Sequence, residues 1–229
     1  MNFGLRGRRH LLAPLVLVFT AEIVSAATAA REPRDLLWAL IACVDPARAG
    51  KGEVCAKPRA DEIDNLDPRC PNTTQVWAQT AQYVAIRDQR MCGCPAGFVH
   101  GLALPFEKIS GIEAEHLPEA IWQFAWDAAH TKIADEGRIA LVVNPPNHRQ
   151  QDQLHIHLVR RVADACSNFP KGSTLSVTNL AHVWEAAKRY AEQQHLNNYG
   201  LLVTRCATDT FTVLLARGSP EGYTQHDCR

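Results

Sequence analysis

The chain has 229 residues, 46% hydrophobic and 21% charged, with a formal net charge of zero. That is enough apolar material for one domain of about 200 residues with a real core. Arg6, Arg8 and Arg9 against Glu22 leave the first 29 residues at +2 and the remainder at −2, and a mildly acidic body without a basic tract excludes nucleic acid as the main partner.

The N-terminus reads as an address. A basic start leads into the apolar run Leu11 to Phe19, and Ala27-Thr28-Ala29 supplies small residues for cleavage. Residues 1–29 are expected to be a secretory signal peptide. The alternative is a retained anchor, but Pro14 and Glu22 interrupt the run, and Leu11 to Val24 is short of the roughly 20 apolar residues that span a bilayer. Export makes disulfides the default for Cys43, Cys55, Cys70, Cys92, Cys94, Cys166, Cys206 and Cys228. The closely spaced Cys43 and Cys55 form the preferred pair. Cys92-Gly93-Cys94 is expected to face two different partners rather than to be a redox or metal motif.

A helical patch over Pro33 to Cys43 carries Leu36, Leu37 and Leu40 on one side, and residues 44–74, with Pro46, Pro58, Pro68 and Pro71, read as disulfide-tied loop. Tyr83 to Arg87 and Phe98 to Leu104 are predicted strands, joined through the turn region Asp88 to Pro95 into an antiparallel hairpin. His100 falls on the same face as Leu102 and Leu104. Ala114 to Glu136 is the longest predicted helix, with Leu117, Ile121, Phe124, Ala128 and Ile133 at helical steps and Gly137 as its stop. Trp122 and Trp126 are expected to pack onto the sheet.

Arg138 to Val143 is a third strand. The polar, proline-stiffened loop Asn144 to Asp152 follows it and is a natural place for ligand contacts. The strand Gln153-Leu154-His155-Ile156-His157-Leu158-Val159 comes next, with Leu154, Ile156 and Leu158 on one face and Gln153, His155 and His157 on the other. Two imidazoles and an amide therefore share about 14 Å of sheet surface at roughly 3.4 Å per residue. A second helix over Leu180 to Leu196 and a closing hairpin (Tyr199 to Thr204, Phe211 to Leu215) complete the chain. The order β-β-α-β-β-α-β-β with short links predicts an α+β fold, an antiparallel sheet covered by helices and stabilised by disulfides.

Leu154-His155-Ile156-His157-Leu158-Val159 resembles the His-φ-His-φ-His-φ-φ signature of the histidine-triad superfamily. His100 to Pro105, Lys108-Ile109-Ser110 and the loop asparagine Asn144 stand where that superfamily has its first strand pair, its exit and a nucleotide-proximal loop. Within it, the chain looks most like the bacterial CDP-diacylglycerol diphosphatases. The likeness rests on Lys108-Ile109-Ser110-Gly111-Ile112-Glu113, Tyr199-Gly200-Leu201 and His226-Asp227-Cys228. It covers most of a single catalytic domain over 33–229, apart from an insertion near 56–75.

The resemblance implies a histidine-triad-like sheet and hydrolysis of CDP-diacylglycerol to CMP and phosphatidate. The lipid substrate would be met at a membrane surface, with the enzyme in the periplasm and associated with the inner membrane. His155 is implied as the nucleophile, His157 as a hydrogen-bond donor to phosphate oxygens, and Gln153 as the supporting outer member in place of a first histidine. His100, Asn144, Lys108 and Ser110 are implied as substrate-binding residues. A neutral imidazole is a competent nucleophile toward phosphorus near pH 7, and the chemistry calls for no cofactor and no metal.

Three other readings compete. The same residues could serve another nucleotide. His155 and His157 with His100 or His148 could hold zinc, although no carboxylate-plus-histidine spacing accompanies them. Gln153 would also suit an exported binding protein with an inactive site.

Overall fold

A computed structural model describes residue 1 and residues 34–45, 59–60 and 74–228, and all the elements below belong to one compact unit, residues 33–229. Its frame is one sheet built from β1 (Arg59–Ala60), β2 (Thr74–Gln79), β3 (Tyr83–Arg87), β4 (His100–Pro105), β5 (Ile139–Val143), β6 (Ile156–Arg160), β7 (Thr174–Val177), β8 (Gly200–Ala207) and β9 (Thr210–Ala216). The spatial order is β1-β2-β3-β4-β6-β5-β8-β9-β7. The short β1 lies parallel to β2, and the other eight strands are antiparallel. Helices α1 (Leu36–Val44), α2 (Ala120–His130), the single turn α3 (Ala165–Asn168) and α4 (Val183–Gln193) accompany it. This is the expected α+β class.

Alternation along the strands sorts the core onto two faces. Ala103, Leu141, Ile156, Leu158, Leu201 and Val203 point to the face covered by α2 and α4, where Trp122 packs at a tilt against Trp184 and Trp126 meets Phe211 edge to face. On the other face Val84, Ile86, Leu102 and Leu104 are covered by Leu37, Ile41 and Val44 of α1. Each of those three side chains contributes roughly 1.5–3 kcal/mol on full burial. Ala140, Val142, Val159, Leu202 and Leu214 form a third patch, packed with Phe169 and Tyr223. His157 lies opposite Leu102 of β4 and Val142 of β5, so the histidines occupy the seam between the second and third patches.

Several element boundaries differ from the sequence expectation. α2 begins only at Ala120, because Pro118 precedes the first turn and lacks an amide proton to continue a helix backwards. It ends at His130, where the Thr131 hydroxyl donates to the Ala128 carbonyl and the chain folds back to bury Ile133. Gly137 therefore stops nothing; it sits in a separate 3-10 turn, Glu136–Arg138. The second predicted helix is a 3-10 turn, Leu180–His182, followed by α4. The Glu119 carboxylate accepts from the Trp184 and Glu185 amides and so caps α4 from another part of the chain. β2 and β7 were not expected. The first borders a proline-rich tract, and the second has only four residues.

Two disulfides join Cys94 to Cys228 and Cys166 to Cys206. Cys43 and Cys92 are also disulfide-bonded, and no cysteine among the described residues is free. Cys92 and Cys94 thus take different partners. The signal segment, Cys55 with its expected link to Cys43, and nearly all of the 56–75 insertion lie outside the described residues.

Candidate functional site

Regular pairing of the histidine strand starts at Ile156, and residues 153–155 form a lead-in whose backbone is held by an isolated bridge from Gln153 to Ser110. This lead-in determines the state of His155. Its Nδ1 lies 2.7 Å from the Gln153 carbonyl oxygen. A carbonyl only accepts, so the proton sits on Nδ1 and the lone pair on Nε2. Burial pushes the His155 pKa below its ordinary value, and the hydrogen bond to Gln153 opposes this only in part. The ring therefore stays neutral at neutral pH. Among the three clustered rings His155 is the most open, at 8% exposure against 3% for His157 and 0% for His100.

His157 and His100 meet across β6 and β4, with His157 Nδ1 2.9 Å from His100 Nε2. The far nitrogen of His100, Nδ1, donates to the His226 carbonyl at 3.1 Å. On the other side, His157 Nε2 is 3.4 Å from the Asn144 amide nitrogen and 3.4 Å from Glu221 Oε1. The Asn144 amide is oriented at both ends: its oxygen accepts from the Ser219 hydroxyl at 2.7 Å, and its nitrogen donates to Glu221 Oε1 at 2.8 Å. Burial would raise the Glu221 carboxyl, but Arg90 and Asn144 together hold it below its ordinary value. Asp88 Oδ2 stands 3.4 Å from His100 Nε2. Burial keeps the His100 pKa low despite that carboxylate. Burial and the neighbouring His155 and His100 keep His157 well below the ordinary range.

Gln153 has a different job from the rings. Its oxygen accepts from the Ile109 amide at 3.2 Å and from the Trp38 indole N–H. Its nitrogen donates to the Glu107 and Pro105 carbonyls at 2.8 and 3.2 Å. All four hydrogen-bonding positions of the amide are used, none is left for a phosphate, and the side chain is fully buried. Gln153 thus pins the loop after β4 and ties α1 to it.

The structure brings His100, His155, His157 and Asn144 into one cluster. Lys108 and the exposed Ser110 lie on the loop held by Gln153, with the Lys108 ammonium 3.6 Å from the centroid of the Trp38 ring. His148 is exposed and faces Gly218. Sequence reasoning missed Asp88, Arg90, Ser219 and Glu221. None belongs to a local motif, and only the pairing of distant segments places them beside the rings. The one available signal was the terminal His226-Asp227-Cys228, whose backbone reaches the cluster through the His226 carbonyl.

A family model described as CDP-diacylglycerol pyrophosphatase matches residues 32–167, well over half of the chain. No curated protein sequence matches significantly. Among solved structures, yeast Ap4A phosphorylase Apa2 is similar at 12% identity and a TM-score of 0.40. The match covers 60% of this chain and 57% of that protein's length.

Proposed function

The chain belongs to the CDP-diacylglycerol pyrophosphatase family, hydrolases of a phosphoanhydride bond, and we propose that it cleaves CDP-diacylglycerol to CMP and phosphatidate through a cytidylyl-histidine intermediate on His155. The observation that carries this reading is the 2.7 Å contact from His155 Nδ1 to the Gln153 carbonyl, which leaves a lone pair on Nε2 of a neutral ring. That pair forms a P–N bond to the phosphorus bearing cytidine. The anhydride P–O bond breaks, and its electrons leave with phosphatidate. Water then attacks the same phosphorus, the P–N electrons return to Nε2, and CMP departs as the water gives up a proton to solvent. Splitting one displacement into two easier ones is what a covalent nucleophile contributes. Asn144, oriented by Ser219, contacts His157, whose ring centroid lies 4.9 Å from that of His155, and this polar neighbourhood is suited to phosphate oxygens as charge develops.

Work on a diacyl lipid in an exported compartment at a membrane surface is part of the same proposal. It is supported by the basic-then-apolar N-terminus and by cysteines that are all oxidised among the described residues. No helix among those residues is long and apolar enough to cross a membrane.

Three measurements test the proposal. Quenching a turnover of cytidine-labelled substrate should leave label on His155, stable to base and lost in acid, and His155→Ala should abolish CMP release. Retention of more than about a hundredth of the rate in that variant, a loss smaller than ~2.7 kcal/mol of barrier, would remove His155 from the central role. Comparing CMP release from CDP-diacylglycerol with hydrolysis of dinucleoside polyphosphates and nucleoside phosphoramidates identifies the substrate class.

A further inference from the structure

We propose that Asp88, His100 and His157 form a binding site for one divalent transition-metal ion of the zinc class, seated beside the nucleophile without involving it. No spacing in the sequence pairs a carboxylate with these histidines, but the fold supplies one. Asp88 follows β3, His100 opens β4 and His157 lies on β6, three neighbouring strands of the sheet. One donor atom from each lies within 4.8 Å of the others. His100 Nε2 is 2.9 Å from His157 Nδ1 and 3.4 Å from Asp88 Oδ2. A tetrahedral ion at its usual bond lengths holds donors about 3.3 Å apart, so the ring-to-ring edge has only about 0.4 Å to open. Two imidazoles and one carboxylate are a recurrent zinc donor set.

A second, independent observation is what surrounds the outer nitrogens. Ligating imidazoles characteristically hand their other N–H to a carbonyl or carboxylate, which sets the tautomer and the ring orientation. His100 meets such an acceptor, its Nδ1 donating to the His226 carbonyl at 3.1 Å, and His157 Nε2 lies 3.4 Å from both Glu221 Oε1 and the Asn144 amide nitrogen.

Without an ion these contacts already close, because a His157 Nδ1–H donates to His100 Nε2 while His157 Nε2 accepts from the Asn144 amide. An ion taken up between Asp88 and the rings replaces that inter-ring hydrogen bond. Charge balance allows it, since Asp88 and Glu221 outnumber Arg90, whose guanidinium pairs with Glu221 at 3.1 Å. Access lies on the side of Asp88, which is 14% exposed. Because His155 Nε2 is not a donor, the site does not depend on the reaction assigned to that residue.

The test uses the full chain, stripped with chelator, dialysed and titrated with zinc or cobalt(II). The expected result is one tightly held ion per chain by elemental analysis and calorimetry, and a visible cobalt absorption typical of low coordination number. Asp88→Asn and His100→Gln should each weaken binding by about a hundredfold or more, and Glu221→Gln, which removes the outer acceptor, by about tenfold. His155→Ala should bind as the parent does. Circular dichroism establishes which variants are folded, and Glu221→Gln decides the matter if the ligand variants are not. The proposal is overturned if no stoichiometric ion is taken up, if Asp88→Asn or Glu221→Gln binds like the parent, or if His155→Ala weakens binding as much as His100→Gln does.

Discussion

Position 153 shows how one side chain can be chosen by its hydrogen-bond inventory. The histidine signature that this strand resembles has a histidine there, and an imidazole brings at most one donor and one acceptor when neutral. Gln153 satisfies two donors and two acceptors drawn from Trp38, Pro105, Glu107 and Ile109. Gln153→His should therefore not improve the enzyme. It leaves at least two buried partners unpaired, at about 1–3 kcal/mol each, so urea unfolding should show a loss of about 2 kcal/mol or more, with a lower kcat because the His155 lead-in loosens. A stable, faster variant would show that the amide is a defect in the catalytic machinery and not a brace. The residue scale was half legible. His155 and His157 stood out by alternation on a strand, whereas the partners that set the protons of His155 and His100 are the backbone carbonyls at 153 and 226, and a carbonyl has no signature in a sequence.

Among elements, α1 links the sheet to the site. Leu37, Ile41 and Val44 seat it on the apolar patch beside the histidines, and Trp38 reaches Gln153 from the same helix. Ile41→Asp would bury an unpaired carboxylate where exposure is now 5%, at a cost of roughly 3 kcal/mol or more. The helix should then come away, with increased binding of an apolar dye and a fall of about tenfold in kcat as Gln153 loses its indole donor, an effect of order 1.4 kcal/mol. Unchanged turnover with a detached helix would separate α1 from catalysis. The long apolar periods of α1, β3, β5 and the closing hairpin were readable because burial there follows a simple repeat. The ends of α2 were not, because Pro118 and the fold-back of Ile133 decide them through contacts outside the period. β7 is too short to show a period at all.

At the scale of the whole molecule, the Cys166–Cys206 and Cys94–Cys228 disulfides have separable duties. Cys166–Cys206 closes 40 residues and Cys94–Cys228 closes 134, for which chain entropy gives about 4 and about 5 kcal/mol. Replacing either pair with alanine should lower the urea midpoint by comparable amounts. Only loss of Cys94–Cys228 should also cut kcat in the folded protein, because that bond holds the segment whose His226 carbonyl orients His100. Equal kcat in the two variants would show that the C-terminal segment keeps its place unaided. The same bond has a consequence for a chain that has lost its fold. His100 and His226 are 126 positions apart, yet each is only a few residues from a half-cystine of that bridge. Urea without reductant therefore scatters the sheet but leaves these two groups as near neighbours, at a high effective concentration. On dilution, activity should return sooner than in a chain denatured with its bridges reduced, whose distant segments must find each other by diffusion.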